Sequence, residues 1–348
     1  MGISLSSLAA AVANEGGVGV IATVGIGQQE PDGRSNFVEA NKRALAREIR
    51  KARNITSGII GANVMMALSD HAEHIETCIR EEVDIVFLGA GLPIRLSPRI
   101  PLNDLNHIHT KVVPIVSSAR AVDTIFKFWW KHYSYVPPAV VIEGPLAGGH
   151  LGFSREQIST SGYELERLVP DVLTAIAPWE ERSGHHVAVV AGGGVYDGVD
   201  IDRLFRIGAE GVQMGTRFVT TFECDASEDF KRAYVECSRD DLVIIDSPVG
   251  LPGRAIRNAF VNAVSRSQRR PFHCPYKCLK PCDNKTAPYC IADALVNARD
   301  GDVANGIVFA GANAYRSNAI TSVAEVCGQL RRDYAEAAGR GTLPRSRS

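Results

Sequence analysis

From Gly17 to Phe218 the chain alternates between two hydrophobic patterns. The first consists of short, unbroken apolar runs: "GVGVIAT" from Gly17, "SGIIGANVMM" from Ser57, "VDIVFLGAG" from Val83, "KVVPIVSS" from Lys111, "AVVIEG" from Ala139, "HVAVVAGGG" from His186 and "GVQMGTRF" from Gly211. Runs this short, rich in Val and Ile and without polar alternation, predict strands of a parallel sheet buried on both faces. Between them lie stretches such as "NKRALAREIRKAR" and "DIDRLFRIGA", whose apolar residues recur at helical spacing and which end near glycine or a turn signal.

Strand and helix in strict alternation build either an open doubly wound sheet or a closed (β/α)8 barrel. Seven strands are countable, and the chain opens on "SLSSLAAAVANEG", the helix of a βα unit whose strand should precede it. The expectation is an α/β protein of the (β/α)8 barrel type whose first strand is missing from this chain by truncation or start assignment, with an additional mostly helical domain. Residues 1–218 would form the barrel. Residues 219–310 would form a helical and irregular lid carrying a cysteine cluster, and residues 311–348 a segment returning to the barrel with a helix near Ala319 to Ala338.

Composition sharpens this picture by exclusion. Of 348 residues, 45% are hydrophobic and 22% charged, and the formal net charge is -1, so no basic field marks a nucleic-acid or anionic-membrane partner. No basic leader opens the chain and no apolar stretch is long enough to span a bilayer. A soluble, cytoplasmic protein acting on a small molecule is expected. The aromatic stretch "KFWWKHYSYV" belongs in the core or at a contact between copies of a homo-oligomer.

Candidate chemistry sits where strands end. "GAGLP" (89–93), "EGPLAGGH" (143–150), "AGGGVYDG" (191–198) and "QMGTRF" (213–218) each close an apolar run, at the barrel face where active sites are built. The last two fall on successive βα loops. Glycines there leave backbone N–H groups open to a phosphate, and a following helix would add its positive end.

These residues resemble the FMN-dependent nitronate monooxygenases and the related flavin-containing enoyl-acyl-carrier-protein reductases. The likeness rests on "AAAVANEGGVGVI", "GANVMMAL", "GAGLP", "EGPLAGGHLGF", "VVAGGGVYDG" and "GAEGVQMGTRF", in the family's order over nearly the whole chain. It implies an FMN-containing barrel with a helical domain over the flavin. Matched motif by motif, Asn63 would contact the flavin ring, and Gly192, Gly193, Gly194, Gln213, Gly215 and Thr216 would lie at the FMN site and its phosphate cradle. Gly148 and Gly149 would leave room for the flavin edge, and Gly311 and Asn313 would return to it. His150 matches the family's active-site histidine, a ring that titrates near neutrality when unperturbed. Glu143 would anchor a loop or a ribityl hydroxyl. Arg254 and Arg257 read as solvated charges, or as a lid's hold on an anionic substrate. His185 and His186, next to a strand start, belong to the opposite end of the barrel.

Four of the eight cysteines cluster: Cys274, Cys278, Cys282 and Cys290, spaced C-x3-C-x3-C-x7-C. Four thiolates in one short stretch meet the ligand count of a [4Fe-4S] cluster or a structural zinc. The spacing matches neither paired C-x2-C zinc sites nor the usual ferredoxin run, which favours iron–sulfur. The better known members of the family lack this cluster.

Three functions are consistent with the sequence. The first is FMN-dependent oxidation of alkyl nitronates with oxygen. The second is NAD(P)H-dependent reduction of enoyl thioesters or quinones, and the third is a non-catalytic flavin and iron–sulfur electron carrier or redox sensor.

Overall fold

The computed structural model describes residues 1–96, 105–266, 272–274 and 276–340; the tail beyond Arg340 lies outside them. The described strands are β1 (Gly19–Ala22), β2 (Ile60–Met65), β3 (Ile85–Gly89), β4 (Lys111–Val116), β5 (Ala139–Glu143), β6 (Gly149–His150), β7 (Ala188–Gly192), β8 (Gly211–Gln213), β9 (Leu242–Asp246) and β10 (Pro252–Ile256). Seven of them form one parallel sheet in the order β1-β2-β3-β4-β5-β7-β8, and all seven coincide with the apolar runs. Ile60, Ala62 and Val64 of β2, like Val189 and Ala191 of β7, expose nothing to solvent, as a sheet covered on both faces requires.

The helices that cover this sheet are α1 (Ser6–Asn14), α2 (Phe37–Ile55), α3 (His71–Arg80), α4 (Ala119–Tyr133), α5 (Arg155–Ser159), α6 (Leu165–Ser183) and α7 (Gly198–Arg206). In α2 the buried residues Ala40, Ala44, Leu45, Ile49 and Ala52 fall at helical spacing on one face, and that stripe is what fastens the helix to the strands. α4 starts where the Ser118 side chain accepts from Ala121 N, and it stops at Ser134 in the left-handed region.

The edge of β1 facing away from β2 is partly covered by the residues preceding α1. Ala22 N donates to Ser4 O at 2.9 Å, and Ser4 Oγ donates to Val20 O at 2.6 Å. Among the described residues no eighth strand joins the sheet.

Beyond β8 come α8 (Thr216–Val219), α9 (Glu228–Glu236), α10 (Ala259–Ser265), α11 (Ile291–Arg299) and α12 (Val323–Arg340). The stretch "DSPVGLPGRAIRN", irregular by its sequence pattern, contains β10, which pairs antiparallel with both β9 and β6. This small sheet ties the 219–310 segment to the loop that follows β5. α12 packs against α7: the rings of Tyr334 and Phe205 meet at 5.6 Å, and a Cβ on Gly198 would lie 2.0 Å from Tyr334 N.

Candidate active site

A cavity of about 880 Å³ opens at the C-terminal ends of the strands, and Asn63, Glu143, Gly149, His150 and Gln213 line it. They arrive from β2, β5, β6 and β8. Among the described residues the side chains of Asn63, Glu143 and Gln213 meet no protein hydrogen-bond partner. Three polar side chains left open toward one cavity suit a ligand bearing many hydrogen-bonding atoms.

Gly149 turns the chain with φ +74°, a conformation that glycine adopts without strain, and the turn delivers His150 into the cavity wall. Its Nε2 lies 2.7 Å from Ser247 Oγ, and its ring meets Phe309 edge-on with centroids 4.9 Å apart. Val249 N donates to Ser247 Oγ at 3.4 Å, so the hydroxyl links the ring to the turn between β9 and β10. Burial lowers the His150 pKa to about 4. The near-neutral titration expected for a free ring is therefore corrected: at pH 7 His150 is a neutral imidazole, because the half-buried apolar wall penalises its charged form. Burial acts in the opposite direction on Glu143, whose pKa rises to about 7.

Around the cavity the glycine loops are bound to one another. Asn313 Nδ2 donates to Gly194 O at 2.6 Å, and Gly311 N donates to Thr216 Oγ1 at 2.9 Å. The 311–313 segment thus joins the β7 and β8 loops, residues separated by about a hundred positions. A Cβ on Gly192 would sit 3.2 Å from that of Gln213, whereas a Cβ on Gly215 would meet nothing within 4 Å. Gly215 therefore borders open space that a side chain would fill, as a phosphate cradle requires. The helix α7 does not contribute its positive end to that cradle. Asp197 accepts from Val199 N and Asp200 N and pairs with Arg316 at 2.5 Å, so these amides and the local charge are already satisfied.

Gly148 has a different role from its neighbour. A Cβ there would lie 2.6 Å from the backbone of Ala310 and Gly311, so the space its missing side chain leaves is taken by protein backbone. Arg254 is likewise corrected. It is buried on β10, and its Nη1 donates to Pro145 O and Ala147 O, each at 2.7 Å. Its guanidinium fixes the loop between β5 and β6 from behind, whereas Arg257 is exposed, as expected of a solvated charge. His186 is exposed and bonds Glu180 and Glu210, away from the cavity.

Ser247, Phe309 and Tyr234, whose hydroxyl donates to Phe309 O, were not distinguishable in the sequence. The only trace was that Phe309 opens the "FAGANAYR" segment. Behind β1 lies a buried polar row: His74 Nδ1 bonds Thr23 Oγ1 at 2.8 Å, His74 Nε2 lies 3.1 Å from Asp70 Oδ2, and Asn41 donates to that carboxylate and accepts from Gly27 N at 2.8 Å. It holds the β1 loop, whose Val24 and Gly25 also line the cavity.

None of the four cysteines is in a disulfide, and all four line a second cavity. Among the described residues no three His, Cys, Asp or Glu side chains stand ready to hold one metal ion.

A half-closed barrel with a histidine-bearing cavity at the carboxyl ends of its strands is the architecture of a (β/α)8-type oxidoreductase. The chain belongs to the nitronate monooxygenase family, whose description matches residues 1–333. A probable nitronate monooxygenase of Staphylococcus saprophyticus is 26% identical over 333 residues, covering 87% of this chain and 82% of that protein. The (3aS,4S,5R,7aS)-5-hydroxy-7a-methyl-1-oxo-octahydro-1H-indene-4-carboxyl-CoA dehydrogenase of Mycobacterium tuberculosis is 26% identical over 262 residues, 75% of this chain but 62% of that protein's length. Among solved structures, FabK from Thermotoga maritima superposes with a TM-score of 0.73 at 26% identity, covering 98% of this chain and 92% of its own. Nitroalkane oxidase from Streptomyces ansochromogenes shares the fold, with a TM-score of 0.73 at 21% identity over 98% of this chain and 95% of its own. No described helix is long and apolar enough to cross a membrane.

Proposed function

We propose that the protein is an FMN-dependent oxidoreductase of the nitronate monooxygenase type, oxidising alkyl nitronates with oxygen. The observation that carries this reading is His150, held 2.7 Å from Ser247 Oγ in the wall of the cavity that Asn63, Glu143 and Gln213 also line. Asn63, Gln213 and Glu143 would supply hydrogen bonds to the polar parts of the flavin, and the Gly194–Gly215 surroundings would take its phosphate. When bound, FMN supplies the electron acceptor. The chain's own residues do the rest. The ring of His150 donates to an anionic oxygen of the substrate, apolar side chains such as Leu251 and Phe309 take its alkyl part, and the walls exclude water.

A second reading, NAD(P)H-dependent reduction of an enoyl thioester, has one observation in its favour. Arg120, exposed at the mouth of the same cavity, suits the phosphates of an acyl carrier, and the Mycobacterium tuberculosis relative is named for a CoA thioester. Both readings suit the reducing setting of the cytoplasm, where thiols do not pair into disulfides.

Anaerobic single-turnover mixing separates the two. Bleaching of the bound flavin by an alkyl nitronate but not by NADPH or NADH is the expected result. The reverse, followed by reoxidation with an enoyl thioester, would establish the second reading, and no bleaching by any of them would overturn both.

A further inference from the structure

The cysteine cavity and the flavin cavity share a wall. Cys274, Cys278, Cys282 and Cys290 all face the smaller space, of about 470 Å³, and Cys278, Leu279 and Ile291 line both spaces. The shared segment is docked firmly: Leu279 pairs with Leu68 in an antiparallel bridge. Ser69 N donates to Cys278 O at 3.0 Å, and Lys280 N donates to Ala67 O at 2.9 Å. These partners directly follow β2, the strand that carries Asn63 to the flavin cavity. The cysteine loop is therefore anchored on the active-site scaffold.

The geometry points to a polynuclear iron–sulfur cluster in the smaller cavity, bound by these four cysteines and passing single electrons through the Cys278–Leu279 wall to the flavin site. A tetrahedral zinc would draw its four sulfurs to within about 3.8 Å of one another, given Zn–S bonds of about 2.3 Å. Here four cysteines surround a common space, yet no three of them are gathered about a single point among the described residues. A cubane takes four thiolates spaced around a larger volume, and four cysteines lining one space suit it. Lys277 N donates to Cys274 Sγ at 3.3 Å, the type of contact that tunes a cluster's potential. Cys290 is the residue preceding α11, so its sulfur lies at the positive end of a helix.

The electron balance is simple. A reduced one-electron carrier gives up one electron, a ferric iron of the cluster becomes ferrous, and that iron is reoxidised as the electron crosses to FMN. Two such transfers and two protons complete the flavin's two-electron reduction. The transfer step rests on the FMN reading above; the cluster does not.

The test uses the full chain purified anaerobically, with and without FMN. Iron, acid-labile sulfide and zinc are assayed, and reduced samples are examined by electron paramagnetic resonance. About four iron and four sulfide per chain are expected, in both flavin-loaded and flavin-free protein. Zinc without iron, or neither metal, would overturn the cluster. Cys282→Ser is the main variant because Cys282 lines only the smaller cavity, and Cys274→Ser serves if it does not fold. Each should lose iron and sulfide while keeping FMN. Reduced methyl viologen, a one-electron donor, should reduce the flavin of the wild-type chain roughly tenfold or more faster than that of the variant. Bleaching by a nitronate or a nicotinamide should be equal in the two. Equal viologen rates would overturn the electron path, and a cluster in a chain that binds no flavin would sink the FMN reading alone.

Discussion

His150 Nε2 and Ser247 Oγ lie 2.7 Å apart although 97 residues separate them in the chain. The contact orients the imidazole, so Ser247 is a positioning residue for His150. His150→Ala should lower the chemical step by about 10²- to 10⁴-fold while leaving FMN content unchanged. Ser247→Ala should lower it less, roughly tenfold, the cost of one hydrogen bond of about 1 kcal/mol. Single-turnover flavin bleaching on flavin-saturated protein checks both. A Ser247→Ala enzyme indistinguishable from wild type would remove the positioning role.

The two buried ionisable groups of the cavity set the pH dependence. With the His150 pKa lowered to about 4, rates should show no inflection near pH 6.5, where an unperturbed histidine titrates. The inflection expected near pH 7 belongs to Glu143, and Glu143→Gln should abolish it. A profile that bends near 6.5 in the Gln variant would show that His150 titrates like an exposed ring.

Glu143 also bears on stability. Its folded pKa, about 7, exceeds the ordinary 4.5, so the folded state holds the proton more tightly than the unfolded state. Stability is therefore highest below pH 4.5 as far as this group is concerned, and it falls as pH rises to about 7. Glu143→Gln should remove that loss and raise stability at pH 8 by up to ~3 kcal/mol. Urea midpoints of both proteins at pH 5 and pH 8 measure it.

Gly148 and Gly215 should respond differently to the same change. Gly148→Ala forces a Cβ to 2.6 Å from the Ala310–Gly311 backbone, which must move and carry with it the Asn313 bond to Gly194. Tm and FMN affinity should fall together. Gly215→Ala meets no protein atom within 4 Å, so Tm should hold while FMN affinity drops. An unaffected FMN affinity in Gly215→Ala would place the phosphate elsewhere.

Arg254→Met leaves the carbonyls of Pro145 and Ala147 without their donor. Each unsatisfied buried acceptor costs about 1–3 kcal/mol, so thermal unfolding should shift down by several degrees. Arg254→Lys, with one compact ammonium in place of a planar fork, should recover only part of the loss.

What the sequence determined by itself was whatever depends on neighbours in the chain. Periodicity located all seven strands of the parallel sheet, because a strand buried on both faces must be apolar throughout. Glycine placement marked the loops at their carboxyl ends, because only a bare backbone makes those turns. Strand β10 escaped detection: Pro252 and Gly253 are poor strand formers, and what makes the stretch a strand is pairing with β6 and β9. The environment of His150 was equally out of reach. Ser247 and Phe309 come to it from distant segments, and its lowered pKa is a property of the wall they form with it. The four cysteines stood out by their spacing as a candidate ligand set. That Cys278 and Leu279 also wall the flavin cavity was decided only when the loop docked beside β2, because contacts between remote segments are set by how the whole sheet and its coverings pack.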